Sequence, residues 1–569
     1  MADRGLKWWQ KAVVYQIYPR SFADGNGDGI GDFPGIIARL DYLQRLGVDA
    51  VWLSPHYPSP NADCGYDIAD YMDVAPEYGT LDDFRRFLDA AHQRGIRVLL
   101  DLVLNHTSDQ HPWFVESRSS RDNPRRDWYV WRDPASDGGP PNNWNSIFGG
   151  SAWEYDPHTE QYYYHCFLKE QPDLNWRNPH VKEAMWQVVR FWLEMGVDGF
   201  RLDAIGTIYE DPTLTPHQST MPMTEILRFG RESRPPEEQA ALTAGLLEMF
   251  RYQFGLPEVH DLMKELRALV DAYPGDRVLI GEDDNIAYYG NGNDELHLVF
   301  NFPLMRTNRL TPAWVRANQE QRLGALPPGA WPCNTLNNHD STRMKTAFGD
   351  GIHDDAIARV NAALLLTLRG TPVLYNGEEI GMTDLLIRDL DQLRDHQSLN
   401  MYHLARAQGV SHEEAIEITA RITRDRCRTP MQWANAPNAG FSPAGVRTWL
   451  PVNPNYAEGV NVADQENDPH SLLNFYRRLI AVRKRTPALM EGEYAPLDVD
   501  SEAVLAFTRR TVGSACVVLL NMSEQPQAIA HPHAAGAVVF SSHGREGEHI
   551  GPHVALAPFE VCIAAVGEA

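Results

Sequence analysis

Eight apolar runs punctuate the first two-thirds of the chain, each suited to a buried strand. They are VVYQIYP (13–19), VDAVWLSP (48–55), IRVLLDLVLNH (96–106), GVDGFRLDAI (196–205), RVLIGEDD (277–284), LHLVFNF (296–302), CNTLNNHD (333–340) and TPVLYNGEEIG (371–381). Most are continuous rather than alternating, the pattern of parallel strands covered on both faces. The gaps leave room for helices. Phe84, Phe87, Leu88 and Ala91 recur at helical spacing in DDFRRFLDAAHQRG. Val181, Ala184, Met185, Val188, Trp192 and Met195 mark another helix before GVDGFRLDAI. Eight strand-then-helix units predict an α/β fold, a (β/α)8 TIM barrel.

Two stretches break this rhythm. Residues 107–178, with WYVWRDP, NNWNSIFGGSAW and QYYYHCFLKEQPDLNW, show no clear helical period. A segment that long predicts an inserted domain after strand 3 rather than a loop. Residues 383–460 read as a second, irregular insertion. From about 490 short β-rich runs follow, AVLAFTRR, ACVVLLN, AVVFSS and APFEVCIAAV. They predict a C-terminal antiparallel β-sandwich domain. The expected division is barrel 1–106, inserted domain 107–178, barrel 179–488 and β-domain 489–569.

Charge narrows the partners. A net charge of -25 over 569 residues argues against nucleic acid and against an anionic membrane surface. No apolar run approaches the roughly 20 residues needed to span a bilayer. The N-terminus shows no basic, apolar, small-residue succession of a signal peptide. The six cysteines form no framework and read as reduced thiols of a cytoplasmic monomer or homodimer.

Chemistry in such a barrel sits at the C-terminal strand ends. Four of them carry ionisable residues here: Asn105-His106, Arg201-Leu202-Asp203, Glu282-Asp283 and Asn338-His339-Asp340. Arg201 and Asp203 lie two apart on a strand and so point the same way. The geometry predicts that Asp203, Glu282 and Asp340 converge. Burying three carboxylates together is costly unless they are paired or share protons. Arg201, His106 and His339 are the expected compensating donors. Three carboxylates without a Cys/His cluster point to glycosidic chemistry. There a nucleophile and a protonated acid stand roughly 5–5.5 Å apart, and like-charge proximity keeps the acid protonated. A second motif, DGNGDGIGD (24–32), alternates the oxygen donors Asp24, Asn26, Asp28 and Asp32 with glycines. It can curl around a hard cation. The twelfth position is Gly35 rather than Glu, which argues against an EF-hand.

Several stretches together resemble one family: VVYQIYPRSFADGNGDGIGD, GYDIADY, DLVLNHTS, GFRLDAI, IGED, NNHD, GTPVLYNGEEIGM and RTPMQW. The chain resembles the α-amylase superfamily of glycoside hydrolases, and within it the bacterial α-glucosidases and oligo-1,6-glucosidases. The resemblance implies a retaining double displacement. Asp203 resembles the nucleophile, Glu282 the acid/base and Asp340 the third carboxylate that grips sugar hydroxyls. Arg201 is expected to aim Asp203 and depress its pKa, and His106 and His339 to bond sugar hydroxyls. Asp63 and Arg424 resemble the pair that closes the pocket, and Tyr66 a stacking platform. The Asp-rich loop resembles a structural Ca2+ site, with the Ile30 carbonyl as a further ligand. Ala204 follows the nucleophile, where valine accompanies α-1,6 preference and threonine or alanine α-1,4 preference. The expected substrates are small α-glucosides of the maltose type, with possible transglucosylation. A transferase or isomerase acting on sucrose, maltose or trehalose, and an oligo-1,6-glucosidase, are the alternatives. Glu378, Glu379, Asp101 and Asp198 read as structural carboxylates, and Cys64 as a packing residue. Arg426 and Cys427 stand where the related pattern has Asn and a small residue.

Overall fold

The computed structural model describes residues 5–221, 236–531 and 536–566. Eight parallel strands form its centre. They are β1 (Val14–Ile17), β2 (Ala50–Leu53), β3 (Arg97–Val103), β4 (Gly199–Asp203), β5 (Val278–Gly281), β6 (Leu298–Val299), β7 (Cys333–Thr335) and β8 (Thr371–Tyr375). Their order is β7-β8-β1-β2-β3-β4-β5-β6, and a parallel bridge between Phe300 and Cys333 closes the ring. Every strand residue except Arg97 is buried, which is why the runs read as continuous rather than alternating.

The helices begin and end where the chain places caps. Asp32 accepts from the Gly35 N–H to start Phe33–Leu46, and Gly47 ends it in the left-handed region. Thr80 and Asp83 form a capping box on Leu81–Gln93, which buries Phe84, Phe87, Leu88 and Ala91. Asn178 caps Pro179–Met195, which buries Val181, Met185, Val188 and Trp192.

The alternation has one gap. Between β5 and β6 only a four-residue 3-10 turn, Ile286–Tyr289, takes the place of a helix. Glycine matters most at Gly199, the first residue of β4. Its φ is 152°, and a Cβ there would lie 2.1 Å from the Val278 carbonyl oxygen on β5.

Residues 107–178 hold a short helix, Pro112–Ser119, and a three-stranded antiparallel sheet, Trp131–Arg132, Trp153–Asp156 and Gln161–Tyr164. The segment expected to be irregular, 383–460, instead carries two adjacent helices, His396–Ala407 and His412–Ile422, amid 3-10 turns. At the C-terminus a six-stranded sheet packs beside a two-stranded one. Period-two alternation divides its strands between two cores. Leu505, Phe507, Cys516, Val518 and Leu520 join the main core, whereas Val504, Ala506, Val517 and Leu519 face the domain's own cluster. All six cysteines are free and buried. Among the described residues no helix is long and apolar enough to cross a membrane.

Candidate active site

Register builds the centre of the site. On neighbouring strands Asp101 of β3 lies directly opposite Arg201 of β4. Arg201 is buried, and its Nη1 bonds Asp101 Oδ1 at 2.6 Å and Asp203 Oδ1 at 2.7 Å. Its Nη2 reaches Glu282 Oε2 at 2.7 Å, just past the end of β5. One guanidinium therefore holds two of the predicted acids and a third carboxylate, Asp101, expected from sequence to be structural. Asp101 belongs to the site: strand register, not sequence proximity, brings it there. Trp52 of β2 lies 5.0 Å from the Arg201 guanidinium and donates to Asp101 Oδ2 at 3.1 Å.

Asp340 arrives from the loop after β7, against two further arginines. Arg428 is fully buried, pairs with Asp340 and donates from Nε to the His339 carbonyl at 2.8 Å. Arg424 lies 3.5 Å from Asp340 and bonds Asp63 and Asp395, each at 2.6 Å. The expected Asp63–Arg424 pair is thus formed, and Asp395 completes it. The three predicted acids face outward while their supports do not. Side-chain exposure is 32% for Asp340, 22% for Glu282 and 11% for Asp203, against 0% for Asp101 and Arg428.

A relay of neutral groups lies behind. Gln16 of β1 donates from Nε2 to His339 Nδ1 at 2.7 Å. That leaves His339 Nε2 as the donor, 2.6 Å from the Tyr66 hydroxyl and 3.1 Å from Asp340. The Tyr66 hydroxyl in turn donates to Asp101 Oδ2 at 3.0 Å. Its ring lies parallel to that of His339, 5.4 Å away. Gln171, from the inserted segment, donates to Asp63 at 3.1 Å and sits 2.9 Å from His106 Nε2. Burial pushes His106 down to about 3 and His339 well below the usual imidazole range, so both rings are neutral.

The three acids separate. Burial, aided by Asp203 and Asp340, pushes Glu282 up to about 8 against the pull of Arg201 and the Ala204 N–H. Burial also raises Asp340, but His339 and the Arg428, Arg424 and Arg201 charges outweigh it and hold its carboxyl well below the usual range. Asp203 corrects the sequence reading. Arg201 does pull it down, yet burial, with Asp101 and Asp340, wins and the net shift is upward, to about 7. Glu282 still holds its proton more tightly than Asp203 does.

Ala204 is unusual in its backbone. Its φ and ψ are 43° and 46°, left-handed for a residue with a Cβ. That turn aims its N–H at Glu282 Oε2, 2.9 Å away.

The remaining predicted residues lie outside this cluster. In the Asp-rich loop, Asp24 accepts from the Gly27 and Gly29 N–H groups and from the Ser442 hydroxyl. Asp32 accepts from Gly25, Asn26 and Gly35. Asp28 accepts from the Ile30 N–H and the Asn26 amide. Among the described residues no three His, Cys, Asp or Glu side chains converge as a ready metal cage. Glu379 accepts from Tyr15 and Tyr42, and Glu378 from Tyr476, as structural groups do. Asp198 ties Arg97 to Arg277. Arg426 bonds Asp384 at 2.7 Å and the Thr342 hydroxyl at 2.8 Å, so it fastens the Arg424–Arg428 segment to the loop that carries Asp340.

Residues 16–492 match the α-amylase catalytic domain family. The chain is a glycoside hydrolase of the α-amylase family. Its relatives cover nearly its whole length. It is 42% identical to an oligo-1,6-glucosidase of Parageobacillus thermoglucosidasius over 91% of each chain. It is also 42% identical to a probable α-glucosidase of Rhizobium meliloti (strain 1021), over 91% of this chain and 90% of the other. Among solved structures, the trehalulose synthase MutB from Pseudomonas mesoacidophila MX-45 superposes with a TM-score of 0.87 at 38% identity, over 99% of this chain and all of that one. The hydrolase's supporting residues Gln16, Asp101, Gln171, Asp395 and Arg428 were not singled out from sequence as site residues. Gln16, Asp101 and Arg428 lie inside the family-like stretches VVYQIYPRSF, DLVLNHTS and RTPMQW, a signal that could have found them; Gln171 and Asp395 left none.

Proposed function

We propose that this hydrolase is a retaining, exo-acting α-glucosidase that releases glucose from the non-reducing ends of short α-1,4-linked glucosides. The carrying observation is the shared guanidinium of Arg201. It holds Asp203 and Glu282 side by side, while burial leaves the proton on Glu282. Asp203 Oδ attacks the anomeric carbon as the glycosidic C–O bond breaks. Glu282 gives its proton to the leaving oxygen, and a glycosyl ester of Asp203 remains. Glu282, now a carboxylate received by Arg201 and the Ala204 N–H, takes a proton from water. The water oxygen attacks the same carbon, and Asp203 leaves. Asp340, ionised beside Arg428, accepts hydroxyl hydrogen bonds and opposes the positive charge that develops on the sugar.

The Arg424–Asp63–Asp395 bridge supports exo action: a fixed ion cluster 3.5 Å from Asp340 would close one end of the site. Ala204 supports the linkage. Its lone methyl leaves room beside the scissile oxygen. Relatives named for α-glucosidase and oligo-1,6-glucosidase activity stand equally near, so likeness alone does not choose. Likeness to the trehalulose synthase keeps sugar transfer or isomerisation as the second reading. Incubation with maltose, isomaltose, sucrose and trehalose tests both. Free glucose, fastest from maltose, is expected. A conserved, rearranged disaccharide favours the second reading.

The donor set of the Asp-rich loop, all hard oxygens, fits Ca2+. Asp24, Asn26, Asp28, Asp32 and the Ile30 carbonyl are the proposed ligands, with a structural role. Six free buried thiols support a reducing, cytoplasmic location.

A further inference from the structure

A cavity of about 610 Å3 opens where the barrel meets the C-terminal domain. It falls within the roughly 300–1,000 Å3 span of small-ligand pockets. One wall is the helix Met344–Phe348, which follows Asp340 in the chain; the helix Asp354–Thr367 supplies another, and a turn of the C-terminal domain the third. Phe348 and Phe559 line it with half-buried rings.

Two observations mark it as built rather than incidental. Asn361, also lining it, is 2% exposed, yet among the described residues its amide Nδ2 bonds only the Met344 thioether, 3.7 Å away. A thioether is a weak acceptor, and buried amides ordinarily find stronger partners. Phe559 has a φ of 52°, where bulky side chains are rare. Its N–H bonds the Ser523 carbonyl at 3.0 Å, which holds the ring at the cavity.

The rim is organised by one residue. His353 Nδ1 lies 2.9 Å from Asp350, its Nε2 3.8 Å from Glu524, and its ring 5.2 Å from Phe559. Arg309 also lines the cavity and adds a cation. Mixed charge disfavours a strongly ionic occupant. Aromatic faces amid an amide, carboxylates and a guanidinium suit the C–H faces and hydroxyls of a pyranose.

We propose that this cavity is a second carbohydrate site, which binds a neutral α-linked gluco-oligosaccharide without cleaving it. The inference rests on the α-glucosidase reading for its choice of sugar. Maltotriose titrated calorimetrically into full-length Asp203→Asn enzyme tests it. Two classes of site are expected. Adding Phe559→Gly, which suits the positive φ, or Asn361→Leu weakens one class at least tenfold and leaves the other unchanged. Glu524→Ala, on the exposed turn, weakens the same class about fivefold and carries the test if a buried substitution unfolds the protein. A single class indifferent to all three substitutions overturns the second site and leaves the α-glucosidase reading intact. No maltotriose binding at all overturns both.

Discussion

Arg201 does more than aim one carboxylate. Its fork holds Asp101, Asp203 and Glu282, so its charge is divided among them and none is fully compensated. Burial, with Asp101 and Asp340 nearby, therefore outweighs its pull on Asp203, which rises. The sign for Glu282 follows from burial. Below about 8 it keeps the proton it must donate, and above about 8 it loses it. The account predicts that kcat/KM on maltose falls on an alkaline limb near 8. Glu282→Gln should cost about 10²–10⁴-fold and abolish that limb on an activated aryl glucoside. A pH profile of both enzymes checks this. Because the folded state holds a proton that the unfolded state has released, Glu282 also makes stability fall between its ordinary value of 4.5 and about 8.

Arg424→Ala breaks a nearly buried cluster and leaves Asp63 and Asp395 uncompensated. A loss of about 3–5 kcal/mol is expected by denaturant unfolding, with a raised KM for maltose. The three predicted acids were legible because acids at strand ends are rare and few. The residues that support them were not. Asp101 looks like any strand carboxylate until register sets it opposite Arg201, and Gln16 and Gln171 carry no charge to draw notice.

Among the elements, the strands were the clearest part of the sequence, since burial on both faces writes itself as an unbroken apolar run. The helices His396–Ala407 and His412–Ile422 were not legible. The first buries only Ser398, Met401 and Ala405, too sparse a stripe to register as periodic. The fifth unit carries only the 3-10 turn Ile286–Tyr289 between β5 and β6. Gly199 tests strand packing directly. Gly199→Ala places a Cβ against the Val278 carbonyl, and its destabilisation should exceed the about 3 kcal/mol that bounds most single substitutions. Chemical denaturation measures it.

At the scale of the molecule, three parts of the chain share the work. The barrel supplies the acids, the inserted segment supplies Gln171, and the region after β8 supplies Arg424 and Arg428. A loop on the barrel's first unit fastens the last of these: Asp24 bonds Ser442, and a Cβ on Gly29 would lie 2.2 Å from the Arg447 carbonyl. Calcium in that loop would therefore stabilise the seam. Addition of Ca2+ to chelator-treated enzyme should raise Tm by a few degrees, in line with binding linkage, without a change in the alkaline limb. An unchanged Tm would remove the metal from the account.

The proposed reaction is a double displacement on Asp203. The anomer released first reports it, because two inversions restore the starting configuration. Proton NMR of the anomeric region, recorded in the first moments of maltose turnover before mutarotation, measures that anomer. The account predicts α-glucose first, with the β form growing in later. β-Glucose as the first product would contradict it.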